Sequence, residues 1–209
     1  MTSAPEDFAR YFAECPLVAI IRGVRPEEAE AIGGALIDEG IRIVEVPLNS
    51  PDPLQSIERL ARRFGEDALI GAGTVLEPDE VKRVERAGGR LIVSPSTDPA
   101  VIRQAHDDGL VSAPGFFTPS EAFAALRAGA HALKLFPAEA ASPAVVKSMK
   151  AVLPKDVPLL VVGGVRPDSV HGWLDAGADG FGLGGALYRP GQSPDDTADK
   201  ARAFVRALA

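Results

Sequence analysis

The chain has 209 residues, 46% hydrophobic and 24% charged, with a formal net charge of −7, which is enough apolar material for one sizeable core. Binding nucleic acid or an anionic membrane surface needs clustered Lys and Arg, so this charge points away from both and toward small-molecule partners. No apolar run reaches the roughly 18 residues of a membrane span, and the single Cys15 has no partner for an internal disulfide.

The N-terminal segment, MTSAPEDFARYFAECP, carries Glu6 and Asp7 where a secretory signal needs a basic start, and it reads as an extra helix ahead of the first strand. A soluble, cytoplasmic protein is expected, with Cys15 a buried packing thiol. Short apolar, β-rich runs then recur at residues 17–23, 41–48, 69–75, 90–95, 110–115, 131–137, 158–164 and 180–185. Such nearly continuous runs suit parallel strands covered on both faces. Between them lie segments of helical period, among them 26–40, 78–88, 118–129 and 167–177, that share one punctuation: Pro near the first position, acids in the first turn, Gly at the close. Eight such strand-plus-helix units predict an α/β fold, a single (β/α)8 barrel over residues 1–209 with an N-terminal extra helix. An open doubly wound sheet is the alternative.

In a barrel of this kind the chemistry sits at the C-terminal ends of the strands. Residues out of keeping there are Arg22 after the first run, Glu45 in the second, Thr74 after the third, Lys134 in the sixth, and the pairs Gly163-Gly164 and Gly184-Gly185 after the seventh and eighth. Alternation puts Ala132, Lys134 and Phe136 on one face and Leu133 and Leu135 on the other. If the leucines face the helices, Lys134 points into the barrel, where an unpaired ammonium is costly enough to be paired or functional. By the same rule Ile43, Glu45 and Pro47 share a face, so Glu45 can meet Lys134 across the mouth. Such a pair suits Schiff-base chemistry, with the amine attacking a keto carbonyl and the carboxylate moving protons. The lysine must lose its proton first, so desolvation and Arg22 have to outweigh Glu45. Gly pairs after the last two strands suit a phosphate, since bare backbone N–H groups can approach the anion, although glycines also serve tight turns. His106, His131 and His171 fall in different units without metal-ligand spacing, so no metal and no cofactor is expected.

The runs 45–51 (EVPLNSP), 71–76 (GAGTVL), 134–139 (KLFPAE) and 162–165 (VGGV), in this order, resemble the 2-keto-3-deoxy-6-phospho-sugar acid aldolases, the KDPG/KHG aldolase family. The resemblance implies a homotrimeric barrel enzyme that cleaves a phosphorylated 2-keto-3-deoxy sugar acid into pyruvate and glyceraldehyde 3-phosphate. It implies Lys134 as the Schiff-base lysine and Glu45 as the general acid/base. Arg22, Asn49, Thr74, Pro95, Phe136 and Val162 are then substrate-binding, and Gly163, Gly164, Gly184 and Gly185 phosphate-binding. Three positions depart from the gluconate-type pattern. Asn49 replaces an arginine, Val162 a threonine and Gly185 a serine; the galactonate-type enzymes share the Asn, so the galactonate epimer is the expected substrate. The gluconate epimer, 4-hydroxy-2-oxoglutarate, a phosphosugar isomerase or epimerase, and a non-catalytic phosphosugar-binding barrel stand as alternatives.

Overall fold

The computed structural model describes residues 2–208. Helix α1 (Ala4–Glu14) precedes β1 (Leu17–Ile20), followed by α2 (Pro26–Asp38), β2 (Ile43–Pro47), α3 (Pro53–Phe64), β3 (Leu69–Gly73), α4 (Pro78–Arg86), β4 (Leu91–Val93), α5 (Pro99–Asp107), β5 (Val111–Ala113) and β6 (Gly115–Phe116). The chain continues through α6 (Pro119–Arg127), β7 (Leu133–Leu135), α7 (Pro143–Lys150), β8 (Leu159–Val162), α8 (Val170–Asp175), β9 (Gly180–Leu183) and α9 (Pro194–Arg206). Pro occupies the first or second position of α1 to α7 and of α9, where its missing N–H costs no intrahelical bond. Ser3, Asp98, Thr118 and Ser193 cap helix starts with their side chains, and Gly88, Gly109, Gly129 and Gly177 follow helix ends with positive φ. The punctuation legible in the sequence is therefore the capping chemistry of the fold.

All strand pairs are parallel, in the order β5-β4-β3-β2-β1-β9-β8-β7-β6. The two ends of that order are consecutive in the chain, joined only by Pro114. The single run expected over 110–115 is thus two short strands, because Pro114 has no N–H to give the ladder. β5 pairs with β4 and β6 with β7, and the Pro114 carbonyl accepts the Lys134 N–H at 3.0 Å, so the eight-unit barrel closes across the break.

The apolar residues sort into two shells. Val44, Val46, Leu133 and Leu135 belong to the shell between strands and helices. Ile43, Leu69, Leu91, Ala132, Leu160 and Val162 fill the barrel interior together with Phe8 and Tyr11 of α1, against which Phe12 packs. Helix α1 thus plugs the N-terminal end of the barrel, and a side chain at Gly180 would collide with the Pro16 carbonyl and the Phe12 ring. Asp7 pins the plug through a 2.7 Å ion pair with Arg90, just ahead of β4, and makes a second 2.7 Å pair with Arg10 within α1. With one end stoppered, the interior opens only at the C-terminal ends of the strands.

Candidate active site

Strand alternation aims Glu45 and Lys134 into the open end as expected. Glu45 is 1% exposed on β2 and Lys134 7% exposed on β7, the two buried charged side chains carried by strands among the described residues. Burial pushes the Glu45 carboxyl up to about 7, despite the opposing attraction of Lys134 and Arg22. Burial also holds the Lys134 ammonium below its ordinary value; Glu45 opposes that shift, and the Arg22 charge reinforces it. Desolvation is thus the dominant cause for both groups, and Arg22 assists at the lysine as anticipated. Glu45 Oε2 is buried without a hydrogen-bond partner, an acceptor left for whatever enters the mouth. The Phe136 ring lies with its centroid 5.0 Å from Lys134 Nζ and forms an apolar wall beside the amine.

One residue essential to this geometry escaped the sequence reading. Gly73, at the end of β3, has the Glu45 carboxylate in the space its Cβ would occupy. The G-A-G-T run therefore contains a slot for the carboxylate as well as the threonine. Gly73→Ala should expel Glu45 and lower turnover by roughly 10²- to 10⁴-fold, the usual worth of a general acid/base, while the protein still folds and forms a covalent pyruvate adduct. Steady-state rates together with mass spectrometry of the reduced adduct check this; unchanged turnover would mean that the carboxylate has no set position to lose.

Arg22, Asn49 and Thr74 come together above this pair. Arg22 donates through Nη1 to Asn49 Oδ1 and through Nη2 to Thr74 Oγ1 at 3.5 Å, linking the loops after β1, β2 and β3. The Gly23 N–H donates to Ser50 Oγ at 2.9 Å and ties the first two loops a second time. Thr74 has φ +59°, a left-handed conformation unfavourable for a β-branched residue, held at the mouth of the barrel. Asn49 thus supplies an acceptor that orients Arg22. Pro95 follows β4, its carbonyl against Gly115. Val162 faces the interior at the end of β8, 5% exposed, packed over Gly182.

The glycine pairs sit on neighbouring loops, because β8 and β9 are paired with Val162 opposite Gly182. Gly163 and Gly164 have φ of +114° and +66°, and the Glu139 side chain fills the space where their Cβ atoms would lie. Glycine is required at both positions by backbone conformation and by this neighbour, whatever else the pair binds. Gly184 is partly exposed and Gly185 exposed, with the Gly184 carbonyl accepting the N–H groups of Leu187 and Tyr188. The histidines do not gather: His171 is alone in the first turn of α8. His106 and His131, distant in sequence, approach to 6.1 Å between ring centroids, and His131 Nδ1 accepts the Ser112 N–H at 3.2 Å. Among the described residues no three His, Cys, Asp or Glu side chains gather as a metal site would need, and no helix is long and apolar enough to cross a membrane.

A buried amine of lowered pKa beside a carboxylic acid of raised pKa, in an apolar cup with one open end, can form and hydrolyse an imine and move a proton within it. The comparisons with known proteins agree with that chemistry. The chain is 52% identical to 2-dehydro-3-deoxy-6-phosphogalactonate aldolase of Escherichia coli (strain K12) over 192 residues, 92% of this chain and 94% of that one. A solved structure described as native KDPGal superposes with a TM-score of 0.92 at 51% identity, covering 93% of this chain and 95% of that one. The KDPG aldolase from Legionella pneumophila, captured with pyruvate as a covalent carbinolamine, superposes with a TM-score of 0.81 at 26% identity over 93% of this chain and 96% of that one. A model of the family described as KDPG and KHG aldolase matches residues 9–198, and this chain belongs to that aldolase family.

Proposed function

We propose that the protein is a class I, metal-independent lyase that cleaves 2-dehydro-3-deoxy-6-phosphogalactonate to pyruvate and D-glyceraldehyde 3-phosphate. The observation that carries the reading is Lys134, buried in the barrel interior with its ammonium destabilised and Glu45 beside it. Neutral Lys134 Nζ attacks the C2 carbonyl, and loss of water leaves an iminium. Glu45 takes the C4 hydroxyl proton as the C3–C4 electron pair flows toward the iminium nitrogen, so the aldehyde departs and a pyruvate enamine remains. Protonation at C3 restores the iminium, and water releases pyruvate and the free amine. A carboxyl with a pKa of about 7 can both take and return the proton near neutral pH. In this reading Arg22, which donates to Asn49 and Thr74, holds the keto acid's carboxylate, and the glycine pairs receive the phosphate. In this reading the protein is a single domain, a homotrimer and cytoplasmic.

The test is a coupled assay of both products after exhaustive chelation, with the two C4 epimers supplied separately under identical conditions. The identity to the galactonate enzyme and the residue at position 162 both favour the galactonate epimer. Val162 offers only a methyl where a threonine could donate to or accept from the C4 hydroxyl. One such bond is worth about 0.5–1.5 kcal/mol net, or roughly tenfold at most. The galactonate epimer should therefore have the higher kcat/KM, and Val162→Thr should shift the ratio toward gluconate. A tenfold wild-type preference for gluconate would reverse the assignment of substrate while leaving the chemistry intact, and activity that chelation removes and a divalent cation restores would overturn the class.

A further inference from the structure

The glycine pairs let an anion approach the backbone but supply no charge to hold it. Gly163 and Gly164 lie against Glu139, the whole chain carries a formal charge of −7, and Gly185 has no hydroxyl to offer. Backbone N–H groups can cradle a phosphate dianion there, and a cationic side chain would hold it more tightly. Besides Arg22, which the proposed function assigns to the carboxylate, three arginines lie on this side of the chain's mouth loops: Arg25 ahead of α2, Arg166 after β8 and Arg189 after β9. Arg25 is neutralised by Glu27 at 3.2 Å and by Glu28 at 2.5 Å, and Arg166 by Asp168 at 3.1 Å. Arg189 has no carboxylate partner among the described residues; its hydrogen bond runs from Nε to the Gly185 carbonyl at 3.0 Å.

The segment around Arg189 is held on both sides. Tyr188 is 2% exposed, and Pro190 packs where a Cβ of Gly23, the residue after Arg22, would lie. The exposed guanidinium is tethered to the second glycine of the β9 loop, and β9 pairs directly with β8, whose following loop carries Gly163 and Gly164. With Nε committed to Gly185, both Nη groups remain available as a fork, the geometry that suits phosphate oxygens.

We propose that Arg189 binds the substrate's phosphate, supplying the positive charge that the glycine pairs lack; this rests on the aldolase reading above. A turn cap made by the same Nε would need no free fork and no net charge, and the two roles separate kinetically. Arg189→Met keeps the aliphatic stem and removes the charge. It should raise KM for the phosphorylated substrate by about tenfold or more, with a smaller fall in kcat. The unphosphorylated 2-keto-3-deoxy sugar acid should show a much smaller rise, and inhibition by inorganic phosphate should weaken in parallel with KM. Arg189→Lys, which keeps the charge but cannot hold Gly185 and grip the phosphate with a planar fork, should fall between wild type and Arg189→Met.

Equal losses on both substrates with a lowered Tm would make Arg189 a turn cap and overturn the proposal. A wild-type preference for the phosphorylated substrate that survives Arg189→Met overturns this proposal alone. A wild-type enzyme that treats the two substrates alike has no phosphate subsite, and that result overturns both this proposal and the phosphorylated substrate in the proposed function.

Discussion

Lys134→Ala is expected to abolish pyruvate-dependent inactivation by borohydride and to lower kcat by roughly 10⁴- to 10⁶-fold, the scale on which enzymes lose activity when a covalent nucleophile is removed. Lys134 is the lysine whose ammonium the fold destabilises by burial, with Arg22 adding to the effect. Its competitors sit in other surroundings. Lys147 is exposed on α7, and Lys150 Nζ is engaged with Asp179 at 2.7 Å, away from the barrel interior. In the wild type, mass spectrometry after reduction should place one three-carbon adduct on Lys134. The rate of adduct formation should rise with pH through a value below the ordinary lysine range, because the neutral amine is the nucleophile. Removing the lysine also removes an attraction that lowers the Glu45 pKa, so in Lys134→Met the carboxyl should titrate above its wild-type position. An adduct on Lys147 or Lys150, or none anywhere, would sink the Schiff-base mechanism.

Glu45→Gln should separate binding from bond cleavage. The amide keeps the volume that fits beside Gly73 but cannot accept the C4 hydroxyl proton, so the pyruvate adduct should still form while retro-aldol turnover falls by roughly 10²- to 10⁴-fold. The wild-type ascending limb of kcat/KM near pH 7 should disappear with the carboxyl. Stability should move the opposite way. The folded pKa of about 7 exceeds the ordinary 4.5, so the folded state binds the proton more tightly than the unfolded chain. The stabilising contribution is complete below about pH 4.5 and is lost as pH rises through 7. Above that range the wild type buries a carboxylate, and Glu45→Gln does not, so its Tm should exceed the wild-type value at pH 8 and converge with it toward pH 4.5. A variant no more stable at pH 8 would mean that the carboxylate is better solvated in the protein than its burial indicates, and near wild-type turnover would demote Glu45 to a structural partner.

What could be read in the chain without its structure follows from periodicity. A strand alternates its side chains, so an apolar Leu133 and Leu135 committed to the helix layer force Lys134 inward, and Val44 with Val46 do the same for Glu45. Pro at helix starts and positive-φ Gly after helix ends are equally local, and they marked the repeating units. The split at Pro114 was visible as a residue, but only closure showed that the two short strands on either side complete one ring. The slot at Gly73, the Arg22 bridge to Asn49 and Thr74, the Glu139 side chain over Gly163, and the approach of His106 to His131 all join residues from different units. Local pattern carries no information about such distances, because they are set by how the strands tilt and stagger when the sheet closes. The titration of the central pair belongs to the same class: residue type supplied an amine and a carboxyl, and the tertiary structure, by stoppering one end with α1 and drying the interior, shifted both toward their neutral forms.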